Sequence, residues 1–130
     1  MRVLITILSI YWSSNMLAQT LDGAVITLNE RPYNFGDVFE GEKKEHVFEM
    51  ENSGNKPLIL DNVITSCGCT ATEWPRNPIN PGQKADILVM FNSTGKMGNQ
   101  KKIITILSNS VNEREELEIM AHVLPRKSDY

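Results

Sequence analysis

Apolar and polar residues alternate along much of this chain, and a period of two marks strands that bury one face. In residues 45–52, His46, Phe48 and Met50 share one face while Glu45, Val47, Glu49 and Glu51 share the other. In residues 84–92, Ala85, Ile87, Val89 and Phe91 fall together. Residues 113–123 bring Leu117, Ile119, Ala121 and Val123 inward, and Pro125 ends the run. The first half of that run has helix-friendly composition. Its alternation nevertheless continues through Ala121, His122 and Val123, so it reads as a strand. Residues 101–108 are apolar on both faces, as expected of a strand in the middle of a sheet.

Shorter β-rich runs cover residues 24–28, 35–39, 57–65 and 70–74. Pro57 takes the first position of its run, where a missing N–H is tolerated. Between the runs stand turn signals: Arg31 to Asn34, Gly41-Glu42, Ser53-Gly54-Asn55 and residues 109–112. Pro75, Pro78 and Pro81-Gly82 punctuate an irregular connection, and residues 93–99 form a loop with two glycines. About seven short strands with turns between them predict an all-β, immunoglobulin-like antiparallel β-sandwich. Phe48, Leu58, Ile87, Val89, Phe91, Ile104, Ile106, Leu117 and Ile119 are its expected core. Residues 126–130 read as a polar tail.

The N-terminus has a different pattern. Met1-Arg2 is followed by an apolar run, residues 3–12, and a more polar stretch ending at Ala18. This is the layout of a secretory signal peptide over residues 1–18, with residues 19–130 as the mature domain. The run falls short of the ~20 apolar residues that span a membrane. No cysteine follows it to take a lipid anchor, so the domain is expected to be exported, periplasmic or secreted, without a stable membrane anchor.

Length and charge narrow the function classes. The chain has 130 residues and a formal net charge of −3, which suits one domain and disfavours a nucleic-acid binder. Two cysteines are too few for a disulfide scaffold.

Both cysteines lie in Ser66-Cys67-Gly68-Cys69-Thr70, where reactive side chains concentrate. Four readings stand. Cys67 and Cys69 could be small buried side chains at a sheet corner, with Gly68 freeing the backbone to bend. They could form a disulfide if the chain bends enough to bring their Cα atoms within ~7 Å, and such a bond could be redox-active. As thiolates they could hold copper as Cu(I), with Met50, Met90 or Met97 adding thioethers, whereas zinc would need His46 and His122, neither at ligand spacing. They could also engage a partner protein.

Elsewhere the chemistry is sparse. His46 reads as a core histidine and His122 as solvated. No nucleophile elbow, phosphate loop or zinc-protease motif occurs, and no catalytic residue is assigned. Asn92-Ser93-Thr94 matches a glycosylation sequon by coincidence. Trp74 is expected to pack beside the cysteine motif, and Glu45, Glu49 and Glu51 to form a solvated face.

Phe35-Gly36-Asp37-Val38, the segment Glu51 to Asn55, the Ser66 to Thr70 motif, Pro81-Gly82 and Ser108-Asn109 occur in that order. The pattern resembles a family of exported bacterial immunoglobulin-like domains of unknown function with a Cys-Gly-Cys-Thr motif. It is also similar to Hydin-like and major-sperm-protein-like sandwiches. The resemblance implies an immunoglobulin-like fold in the cell envelope and no particular reaction. The expectation is a non-enzymatic binding or scaffold module for a protein partner, contacted through residues 75–81 and 93–99. The alternative is a thiol-redox or Cu(I)-binding protein using Cys67 and Cys69.

Overall fold

The computed structural model describes residues 22–127. The expected signal peptide, residues 1–18, lies outside the described residues. Among the described residues, eight strands follow one another: β1 (Ile26–Leu28), β2 (Pro32–Phe39), β3 (Lys43–Asn52), β4 (Leu60–Thr65), β5 (Thr70–Glu73), β6 (Lys84–Asn92), β7 (Gly98–Ser108) and β8 (Arg114–Leu124). They build two four-stranded sheets, ordered β1-β3-β6-β5 and β2-β8-β7-β4. The sheets face each other as an immunoglobulin-like sandwich.

The core lies between them and is drawn from the alternating positions. Phe48, Ile87, Val89, Ile104, Ile106 and Leu117 are wholly buried, and Phe91 and Ile119 nearly so. Leu58 is also wholly buried but precedes β4, whose run begins at Leu60 rather than Pro57. Leu58 forms a lone bridge with Ile79 in the irregular connection, which draws Ile79 into the core as well. β7 lies between β4 and β8, consistent with the central position its two apolar faces suggest.

Three local expectations are corrected. Arg31 to Asn34 is not a turn, because β2 already starts at Pro32 and pairs with β8 from Pro32↔Glu118 onward. That pairing is parallel, while the other strand pairs are antiparallel. The register shifts between Asn34 and Asp37, where Gly36 takes a φ of 73°. The β-bulge there lets a broken hydrophobic pattern still run as one strand. Third, the loop before β7 ends early: Gly98 and Asn99 already pair with Val123 and His122.

Candidate functional site

β4 is an edge of one sheet and β5 an edge of the other. Residues 66–69 carry the chain across between them, so the cysteine motif is the corner where the polypeptide changes sheets. Hydrogen bonds hold this corner from several sides. Ser66 N donates to Ile103 O at 3.0 Å, and Ser66 Oγ accepts from Ile103 N at 3.0 Å. Thr70 N donates to Cys67 O at 3.2 Å, closing a tight turn. Thr65 Oγ1 lies 3.1 Å from Cys67 O and 3.3 Å from Thr70 O. Asn92 N donates to Cys69 O at 2.9 Å, tying the corner to β6.

Within this turn Cys67 and Cys69 are joined as a disulfide, their Cα atoms 5.2 Å apart. Cys69 N donates to Cys67 Sγ at 3.1 Å, and Cys69 Sγ lies 3.8 Å from Thr70 Oγ1. Both cysteines are half-buried, with Cys69 against the edge of the core. Gly68 is exposed, its φ lies outside the left-handed region, and a Cβ there would meet nothing within 4 Å. The bend therefore comes from the Thr65 and Thr70 hydrogen bonds rather than from glycine conformations closed to other residues.

Cys69 also lines a cleft of about 260 Å³ with Lys43, Glu45, Gly68, Ala71 and Met90. Strand register explains this grouping. Glu45, Met90 and Ala71 form one row across β3, β6 and β5. The next row runs from Lys43 to Asn92 and on to Cys69 through the Asn92 N–Cys69 O bond. The cleft is thus a trough on one sheet, ending at the disulfide.

The methionines considered for copper are dispersed. Met90 lines the trough, Met50 is 1 % exposed in the core, and Met97 is 62 % exposed before β7. Among the described residues, no three His, Cys, Asp or Glu side chains are grouped to hold a metal ion. His46 stacks on Tyr33 with ring centroids 3.5 Å apart, meets Phe48 edge-on, and contacts Glu30. His122 is exposed, with Nδ1 3.0 Å from Asp37 Oδ1. That pair edges a second depression of about 370 Å³ whose lining contains no thiol or hydroxyl side chain. Trp74 packs against the core margin, and the Arg76 guanidinium lies 3.6 Å above its ring.

Other motif residues serve the architecture. Gly82 N donates to Asn52 O at 2.7 Å, and Asn109 pins the chain before β4 through Ile59 N and Pro57 O. The trough was not foreseen, because its walls come from three strands far apart in the chain. The outward alternates Glu45, exposed, and Met90, half-buried, were its local trace.

A sandwich of this topology with a two-cysteine corner defines an immunoglobulin-like module. The chain belongs to the family described as protein of unknown function (DUF1573), whose model matches residues 26–123. It is similar to a protein of unknown function from Porphyromonas gingivalis W83, with a TM-score of 0.69 and 21 % identity over 83 % of this chain and 51 % of that one. The chain thus spans about half the length of that relative. It is also similar to the ASH/PapD-like domain 7 of human CEP192, with a TM-score of 0.66 and 9 % identity over 81 % of this chain and 89 % of that one. The YadV chaperone matches with a TM-score of 0.59 and 16 % identity over 75 % of this chain and 51 % of that one. At these identities the likenesses concern the fold. No curated protein matches the sequence.

Proposed function

We propose that this domain is a non-enzymatic binding module of the bacterial cell envelope that recognises an extended segment of another exported protein. One observation carries the reading: β4 is an edge strand flanked by exposed apolar side chains. β4 pairs only with β7 among the described strands, while Ile59 and Ile64 are 43 % and 46 % exposed. An unpaired edge offers backbone donors and acceptors to a strand from another chain, and apolar neighbours add side-chain contact. Residues 75–81 and the shortened loop 93–97 supply further contacts, with exposed Met97 in the second loop.

A photo-crosslinker at Ile64 tests the reading in the native envelope. A defined partner crosslinked there, and lost from the Ile59→Lys/Ile64→Lys variant, would support it. Capture of the same set of proteins by both forms would refute it.

A second reading is favoured by the Cys67–Cys69 disulfide in a partly exposed corner beside a trough. Here the pair is a redox couple. Its reduced form offers two thiolates to Cu(I), with the Met90 thioether in the same trough.

A further inference from the structure

Disulfide exchange begins when a thiolate attacks one sulfur and the other departs as a thiolate. The sulfur whose thiolate is better stabilised is the better leaving group. The environments of the two sulfurs differ here. Cys67 Sγ accepts the Cys69 N–H at 3.1 Å, a donor that stabilises negative charge on Cys67. Cys69 lines the trough, whereas Cys67 is absent from its walls. Position beside the trough and leaving-group stability therefore select the same polarity.

We infer that Cys69 is the sulfur attacked by a dithiol of a partner protein, and that Cys67 is the leaving thiolate. This inference rests on the redox reading. The partner's first thiolate approaches through the trough and forms a bond to Cys69 Sγ. The Cys67–Cys69 bond breaks, and its electron pair remains on Cys67 beside the Cys69 N–H. The partner's second thiolate then attacks the partner sulfur of the mixed disulfide, closing a disulfide in the partner and releasing Cys69. The partner dithiol loses two electrons and two protons. The Cys67–Cys69 pair gains two electrons and takes up two protons from solvent.

A dithiol is required because Cys67 stays two residues from the adduct. Its high effective concentration returns a monothiol adduct to the starting disulfide. Lys43 has a separate role at the trough. It is exposed in the same cross-strand row as Cys69, while its neighbour Lys44 pairs with Glu42 at 3.3 Å. The Lys43 ammonium offsets the Glu45 carboxylate on the same trough and so eases the approach of an incoming thiolate.

The test incubates the oxidised protein with a synthetic dicysteine peptide or with reduced glutathione. Acid quench, maleimide blocking and peptide mapping then locate the adduct. The expected result is a transient peptide adduct on Cys69, release of oxidised peptide and two new thiols in the native protein. Glutathione should give far less net reduction at equal thiol concentration. Lys43→Glu should slow the first step by on the order of threefold at low salt, with the effect shrinking as salt rises. An adduct mapping to Cys67 would overturn the polarity while leaving the redox reading intact. A stable, accumulating glutathione adduct would overturn the dithiol requirement. Thiols appearing only after denaturation would overturn the redox reading and this inference together.

Discussion

Asn52 shows how one residue can organise distant segments. It is wholly buried, and its Nδ2 donates to Lys56 O at 2.7 Å and Ile79 O at 2.9 Å. Its Oδ1 accepts from Val25 N at 3.3 Å and Gly54 N at 3.0 Å. Gly54 is required beside it, because a Cβ at that position would lie 2.1 Å from Gly23 O. Asn52→Leu preserves approximate volume but leaves two N–H and two C=O groups without these partners. Ile79 O keeps the Leu58 N–H at 2.8 Å and the other three groups are only partly buried, so the loss should come to about 2–4 kcal/mol rather than the full penalty of four unsatisfied groups. Urea unfolding measured against wild type reads this loss as a lower midpoint at similar slope. The alternation of His46, Phe48 and Met50 already places position 52 on the inward face. Its partners at Val25 and Ile79 could not be inferred from that pattern, because each lies 27 residues away and meets Asn52 only in the folded domain.

The strand β2 makes the corresponding point at the scale of an element. Arg31 to Asn34 has turn-like composition, yet Tyr33 pairs with Ile119 and Asn34 with Met120 in a parallel ladder. Local propensity lost to a non-local partner, as is common for strands. Gly36 allows the bulge: its φ is 73°, and Asn34 Oδ1 accepts its N–H at 2.8 Å. A Cβ there would meet nothing within 4 Å, so substitution reports on backbone strain rather than a clash. Gly36→Val should therefore destabilise by about 1–2 kcal/mol. Gly68→Val, at an ordinary φ and in open space, should change stability by less than about 0.5 kcal/mol. Thermal denaturation of the two variants side by side checks the contrast. β8 likewise extends its alternation to Glu115, which is 9 % exposed and held by Arg31 at 2.6 Å and Asn112 at 2.9 Å. Its charge conceals an inward position until Arg31 is brought from the other end of the fold.

For the whole molecule, the core rather than the disulfide carries the fold. The bond joins residues only two apart, so its loop-entropy contribution is on the order of 1–2 kcal/mol. Truncating one buried core phenylalanine such as Phe91 costs about 3–5 kcal/mol. Cys67→Ser/Cys69→Ser should therefore remain folded, losing about 1–2 kcal/mol in denaturant titration, whereas Phe91→Ala should lose about 3–5 kcal/mol. Unfolding of the double-serine variant would show that the corner is a structural staple. By itself, the sequence determined the all-β class and most of the core, because period-two burial is written in neighbouring residues. It also picked out Cys67 and Cys69 as the chemically distinctive pair. Only the tertiary structure decided the parallel β2–β8 pairing, the corner between sheets and the trough beside Cys69. Each of these depends on strands distant in the chain meeting in a particular register, which local patterning does not encode.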